Sequence, residues 1–309
     1  MWPRAAQWLA AAGDDTAGCE MAVLGVPAHR SSITATGADA TPAAVRRALA
    51  RFSTYAASRG VDVADIRVAD LGDVDEPDGP EGELRVHAVA ERAGREHELL
   101  FAVGGDNSIT VPLVLGLFGA QADPCGLVTI DAHHDLRDGV SNGSPVRHLV
   151  EGGLPGRNIV QVGIADFSNS AAYAARADEF GITVIYRDEL RRGSVADVVA
   201  DALSTAGAGG RPVFVDIDVD VCDRAEVPGC PSSAPGGLSA DELRQMAFLF
   251  AQDPRVRGMD VTEIDATADA DDERTVRLAA LLLLEAAAGL VSRLQLAAAH
   301  AAATNRTEG

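Results

Sequence analysis

Short apolar runs alternate with longer amphipathic stretches along nearly the whole chain, and this alternation constrains the fold more than any other feature. Runs rich in aliphatic residues stand at 21–26, 66–70, 99–103, 126–130, 158–162, 182–185, 213–218 and 256–261. Helical patterns fill the intervals at 42–52, 83–96, 109–117, 195–204, 240–251 and 274–303. Several of the short runs are apolar at every position, as strands buried on both faces of a parallel sheet are. The pattern predicts a three-layer α/β/α fold around a central, mainly parallel eight-stranded sheet. No composition break or internal repeat divides the 309 residues, so one domain is expected over 1–309.

In such a sheet the C-terminal strand ends open on one edge, where ligands bind in a crevice. Polar and acidic residues stand at those ends: Asp70 and Asp73, Gly105-Asp106-Asn107, Asp131, Asp218 and Asp220, and Glu263. Residues far apart in the chain are therefore expected to meet at one place.

Charge and composition narrow the function. All 26 basic residues are arginine, which excludes chemistry that needs a lysine amine, such as a Schiff base or a P-loop. A formal net charge of −20 argues against nucleic-acid or membrane-surface partners and favours small cations. Cys19, Cys125, Cys222 and Cys230 form no C-x-x-C pair and read as reduced, buried thiols of a cytoplasmic protein, packing being favoured over ligation for Cys222 and Cys230. The N-terminal residues lack the apolar core of a signal peptide. The apolar stretch 278–291 is interrupted by Glu285 and is too short to span a bilayer.

Three constellations carry chemistry. Asp131-Ala132-His133-His134-Asp135 directly follows an apolar run and gathers four metal-capable side chains. Hard oxygens with an imidazole suit a divalent cation, and extended backbone would put Asp131, His133 and Asp135 on one side and His134 on the other. In Asp216-Ile217-Asp218-Val219-Asp220, alternation would project three carboxylates from one strand face. Carboxylates so close repel by roughly 4 kcal/mol at about 4 Å and an effective dielectric of ~20, unless a cation sits among them. Gly104-Gly105-Asp106-Asn107-Ser108 allows close backbone approach, with Asn107 or Ser108 as a helix cap.

Together these segments resemble the ureohydrolase family of arginases, agmatinases, guanidino-acid hydrolases and formimidoylglutamases. The family signatures G-G-D-H-S, D-A-H-x-D and D-x-D-x-x-D-P align with 104–108, 131–135 and 218–223, and Glu263 matches the acidic residue before the last helix. Gly25-Val26-Pro27 and Asp70-Leu71-Gly72-Asp73 support the match. The resemblance implies an arginase-like fold and two Mn²⁺ ions that share bridging carboxylates and activate a hydroxide. It implies Asp131, His133, Asp135, Asp218 and Asp220 as ligands, with Asn107 where the family has its first histidine ligand. An amide oxygen is a weaker donor than imidazole, so one ion is expected to bind loosely or be absent. Asn142, in Asn142-Gly143-Ser144-Pro145, stands where the family has a mobile histidine, and an amide cannot shuttle a proton. His134, His148 and Glu263 are the candidates for that role. Arg224 replaces the proline of the third signature.

The D-A-H-x-D-L-R form, with Arg137 after Leu136, resembles formimidoylglutamases. A guanidinium suits a substrate carboxylate and would repel a cation such as agmatine. Arg147 is a second candidate anion contact, and a surface salt bridge with Asp138 is the alternative for Arg137. The expected activity is Mn²⁺-dependent hydrolysis of formimidoylglutamate to glutamate and formamide. Catalytic roles fall to Asp220, Glu263 and His133, and substrate contacts to Arg137, Asn142, Arg147 and Glu263. An agmatinase or guanidino-acid hydrolase releasing urea is the alternative within the family, and a non-catalytic binding or regulatory protein the alternative outside it. Family habit implies a homo-oligomer.

Overall fold

The computed structural model describes residues 2–13, 15–119 and 125–307. Its strands are β1 (Met21–Val26), β2 (Tyr55–Ala56), β3 (Val61–Asp62), β4 (Val68–Asp73), β5 (Leu99–Gly104), β6 (Gly126–Ile130), β7 (Ile159–Ile164), β8 (Thr183–Tyr186), β9 (Val213–Asp218) and β10 (Val256–Thr262). Eight of them form one sheet in the order β4-β1-β5-β10-β9-β6-β7-β8, and every pairing in it is parallel. β2 and β3 form a separate two-residue antiparallel pair.

The helices are α1 (Ala5–Leu9), α2 (Thr41–Ala48), α3 (Gly79–Glu96), α4 (Thr110–Phe118), α5 (Pro145–Glu151), α6 (Ala171–Phe180), α7 (Arg187–Leu190), α8 (Val195–Ala206), α9 (Ala240–Gln252) and α10 (Arg274–Thr307). Alternation along the strands sends side chains to two cores. Met21 and Val23 of β1, with Leu99 and Phe101 of β5, face the layer of α1, α2, α8, α9 and α10. Ala22 and Leu24, with Leu100 and Ala102, face α3, α4, α5 and α6. The three-layer architecture is therefore as the sequence pattern predicts.

Element boundaries differ where local chemistry intervenes. The expected helix at 42–52 ends at Ala48 and tightens into a 3₁₀ turn over Leu49–Arg51. α6 escaped the periodicity because only Ala177 of its residues is buried, yet Ser170 caps its start and left-handed Gly181 ends it. α10 is long and apolar enough to cross a membrane, but most of its apolar stretch is buried within the fold. Glu285, the charge that interrupts it, pairs with Arg59 at 2.9 Å and Arg244 at 2.7 Å.

Chain order reverses at the middle of the sheet. β10 and β9 insert between β5 and β6, so four adjacent strands deliver residues from four distant segments to one edge. This is where a parallel sheet opens a crevice.

Candidate metal centre and substrate cleft

Asp131 follows β6 directly, and its side chain is fully buried. Its Oδ1 accepts from the His133 N–H at 2.6 Å, which bends the chain back on itself. β9 ends at Asp218, whose Oδ1 accepts from the Asp220 N–H at 2.8 Å and caps a 3₁₀ turn over Val219–Val221. Asp220 is therefore carried by the turn, and the expected row of three carboxylates on one strand face is not formed. Its Oδ1 accepts from the Ala132 N–H at 3.0 Å, and its Oδ2 lies 2.7 Å from His133 Nδ1. The ligand atoms of Asp131, His133 and Asp220 all lie within 4.8 Å of one another.

Asp135 and Glu263 complete the cluster from positive-φ backbone, at 53° and 63°. Left-handed conformations at non-glycine residues cost energy and concentrate at functional sites. Glu263 is held by its N–H to Gly105 at 2.9 Å, while its Oε1 accepts from the Asn107 N–H at 2.8 Å and from Asn142 Nδ2 at 2.9 Å.

Burial and mutual repulsion set the electrostatics. Burial, then the Asp220 charge, pushes the Asp131 carboxyl up to about 7. Burial pushes Glu263 up to about 8 and raises Asp135 and Asp218 well above the carboxylate range. Burial also opposes a charge on His133, but Asp220 and Asp131 outweigh it and lift the imidazole to about 11. His133 in turn overcomes the burial of Asp220 and holds that carboxyl below its usual value. Clustered buried carboxylates with one imidazole are unfavourable alone and suited to a divalent cation. Asp131 Oδ2, buried with no hydrogen-bond partner, is an acceptor that such an ion would satisfy.

Several expectations are corrected by the geometry. Asn107 Nδ2 donates to Asp135 Oδ2 at 2.6 Å, while its Oδ1 accepts from Thr262 Oγ1 at 3.2 Å and lies 3.1 Å from Thr110 Oγ1. The amide thus presents nitrogen to the cluster, and its oxygen is not offered to a metal. Asp106, rather than Asn107 or Ser108, caps the turn after β5. His134 points away, with Nδ1 2.6 Å from Gln161 Oε1, so it cannot serve the cluster. Arg147 is committed elsewhere: Nε donates to the Arg137 carbonyl at 2.6 Å and its guanidinium also binds Gly139 and Glu151, so it is not an anion contact. His148 bonds the Gly139 carbonyl at 3.0 Å, outside the cleft. Asp70 and Asp73 sit on edge strand β4 and ion-pair with Arg46.

A cleft of about 140 Å³ opens at the cluster, lined by His133, Asp135, Asp218 and Glu263 together with loop residues that include Ile33, Thr34, Thr36, Arg137 and Asn142. Among the described residues no hydrogen bond or ion pair engages the Arg137 guanidinium, and Asp138 instead pairs with Arg176 at 2.9 Å. Its aliphatic part lies against Gly143, where a Cβ would stand 2.7 Å from Arg137 Cδ. A larger hollow of about 570 Å³ beside the cleft contains none of the clustered carboxylates, so chemistry rather than size identifies the site.

Two further features lay outside the sequence reading. Residues 29–37 form a strap over the cleft, whose only signal was a hydroxyl-rich loop. Behind the cluster, Asp216 and Asp260 face each other across paired strands, with Thr110 Oγ1 2.9 Å from Asp260 Oδ2. Burial, then the Asp260 charge, raises Asp216 well above the carboxylate range, so the pair is built to hold a proton, not two charges. Cys222 and Cys230 are buried, and neither is in a disulfide.

The chain is similar in sequence and fold to known proteins. The Arginase family model matches residues 19–289. A formimidoylglutamase of Halalkalibacterium halodurans is 34% identical over 271 residues, 85% of this chain and 84% of its own. A guanidinopropionase of Pseudomonas aeruginosa is 32% identical over 81% of this chain and 79% of its own. The crystal structure of the Bacillus subtilis formimidoylglutamase matches with a TM-score of 0.83 at 33% identity, covering 90% of this chain and 89% of that one. A Trypanosoma cruzi formiminoglutamase solved with Mn²⁺ gives 0.86 at 25% identity, over 95% of this chain and 100% of that one. With the family model matching most of its length and a relative 34% identical over 85% of it, this chain belongs to the arginase family.

Proposed function

We propose that the chain is a Mn²⁺-dependent hydrolase that converts formimidoylglutamate and water to glutamate and formamide. The observation that carries this reading is an Arg137 guanidinium, without a partner among the described residues, that lines the same small cleft as His133, Asp135, Asp218 and Glu263. The likeness to formimidoylglutamases over most of the chain supports it.

Asp131, His133, Asp135, Asp218 and Asp220 would hold the metal. When bound, Mn²⁺ would supply a Lewis acid that lowers the pKa of water and offsets the clustered negative charge. The remaining work falls to the chain. Arg137 binds a substrate carboxylate through a charge-assisted, fork-shaped contact and so aims the formimidoyl carbon at the cluster. Glu263 Oε1 is occupied by Asn107 and Asn142, which leaves Oε2 to accept from the substrate N–H groups. Water adds to the formimidoyl carbon, the bond from that carbon to the glutamate nitrogen breaks, and the leaving amine takes a proton. Asp220, held as a carboxylate by its contact with His133, is the proposed relay that takes a proton from the attacking water and passes it to the leaving amine.

A cationic substrate such as agmatine would face Arg137 and be repelled. The proposed setting is the cytoplasm, supported by the buried thiols of Cys19, Cys222 and Cys230, none of them in a disulfide. Assembly as a homo-oligomer is part of the proposal and rests on the family resemblance.

The test is product release by the Mn²⁺-loaded protein offered formimidoylglutamate, agmatine, arginine and 4-guanidinobutyrate in parallel. Formamide and glutamate from the first alone support the reading. Urea from a guanidino substrate, or no turnover with any of the four, overturns it.

A further inference from the structure

Asn142 makes a set of hydrogen bonds that a substrate contact alone does not explain. Its Oδ1 accepts from the Ile33 N–H at 3.1 Å, its Nδ2 donates to Glu263 Oε1 at 2.9 Å, and its backbone N–H donates to the Ser31 carbonyl at 3.1 Å. The Ile33 N–H requires an acceptor and the Glu263 carboxylate a donor, so the two partners fix the amide in one orientation. One side chain thereby joins the 29–37 strap to Glu263.

The strap is otherwise pinned at both ends. Asp78 Oδ1 accepts from the His29 and Arg30 N–H groups at 3.0 and 2.7 Å. Buried Asp106 accepts from both Ser31 and Ser32 hydroxyls at 2.9 Å, and Asp265 accepts from the Gly37 N–H at 2.8 Å. Between Ser32 and Gly37 the Asn142 amide is the one side chain that fixes the strap's backbone among the described residues, and this is the stretch that brings Ile33, Thr34 and Thr36 to the cleft.

We infer that Asn142 is a positioning residue that aims Glu263 and holds the strap in register with it, so that the two walls of the cleft are set by one amide. The inference rests on the proposed reading of the site for its catalytic consequence, and on hydrogen bonding alone for its structural one. An imidazole here would have its donor and acceptor on a rigid ring of different reach and could not keep both bonds in this geometry.

Three variants separate the parts, each studied as the Mn²⁺-loaded full chain with metal content measured. Asn142→Asp keeps the acceptor for Ile33 but sets a carboxylate against Glu263. Asn142→Ala removes both bonds, and Asn142→His restores the side chain typical of the family. Hydrogen exchange of the peptide covering 29–37 should be unchanged in Asn142→Asp and faster in Asn142→Ala. kcat/KM for formimidoylglutamate should fall in both by about tenfold to a hundredfold, the worth of a hydrogen bond to a charged group, with Mn²⁺ content retained. Asn142→His should also lose activity. Wild-type activity in Asn142→Asp, unchanged exchange in Asn142→Ala, or a gain in Asn142→His overturns the inference. If the wild-type chain itself fails to turn over formimidoylglutamate, the functional reading fails instead, and the exchange data alone decide whether Asn142 holds the strap.

Discussion

The two walls of the cleft are built by different means. The metal-side wall stands at or just beyond the ends of the adjacent central strands β6, β9 and β10, and its carboxylates are almost completely buried while His133 is partly exposed. The opposite wall is made of loops: the 29–37 strap, and a segment after β6 where Arg137 lies against Gly143. Strand ends are fixed by the sheet register, so they suit groups that must stay within tenths of an ångström of each other. Loops can change residue by residue without disturbing the core. The comparison teaches that the carboxylate–imidazole cluster is anchored at the sheet edge, while on the proposed reading the choice of substrate is carried on exposed chain.

The largest expected effect comes from breaking the strand-end wall. Asp131→Ala or Asp220→Ala should reduce turnover by at least ~10³-fold, the scale of several kcal/mol of charge stabilisation at the transition state. Mn²⁺ content should fall in parallel, and normal metal content in either variant would contradict the assignment.

A pH titration of stability sharpens the same contrast. In the metal-free protein Asp131 is raised to about 7, Glu263 to about 8 and His133 to about 11, so the folded state holds more protons than the unfolded chain from about pH 4 to 11. Stability should therefore fall as pH rises from 5 to 9, by ~1.4 kcal/mol per pH unit for each extra proton held. Mn²⁺ should flatten this slope by replacing the protons. Denaturant melts with and without Mn²⁺ across that range check it, and a metal-free protein that gains stability over the range would be the wrong sign.

On the loop wall, Gly143→Ala places a methyl group against the Arg137 stem. It should raise KM for formimidoylglutamate by about tenfold, the cost of displacing one oriented charged contact, and leave Mn²⁺ affinity unaltered. Steady-state kinetics beside a metal titration would show whether the two walls separate in this way. The smallest effect is expected at Glu151, the exposed partner of Arg147. Glu151→Ala should change kcat/KM by no more than about fivefold, because an ion pair with an exposed partner contributes about 1 kcal/mol or less.

What was legible in the sequence follows the same division. The convergence of Asp131, His133, Asp135, Asp218 and Asp220 was readable because they stand at or just after apolar runs that become central strands, and strand ends share an edge. The facing of Asp216 and Asp260 was not, since it depends on which residue of β10 sits opposite which residue of β9. The amide orientations of Asn107 and Asn142 were equally hidden. Glu263, which both of them bond, lies 156 and 121 residues further along the chain. Arg147 misled for a related reason: an arginine near a site looks like an anion contact until its partners, Arg137, Gly139 and Glu151, are placed.

The most direct test of the division between the walls is Arg137→Asn, with Mn²⁺ affinity and kcat/KM for formimidoylglutamate and agmatine measured on the same preparation. The account predicts unchanged Mn²⁺ affinity, with preference for formimidoylglutamate over agmatine reduced by at least about tenfold, the lower limit for losing a charged hydrogen-bonded contact. An unchanged preference, or a loss of Mn²⁺ affinity alongside activity, would contradict it.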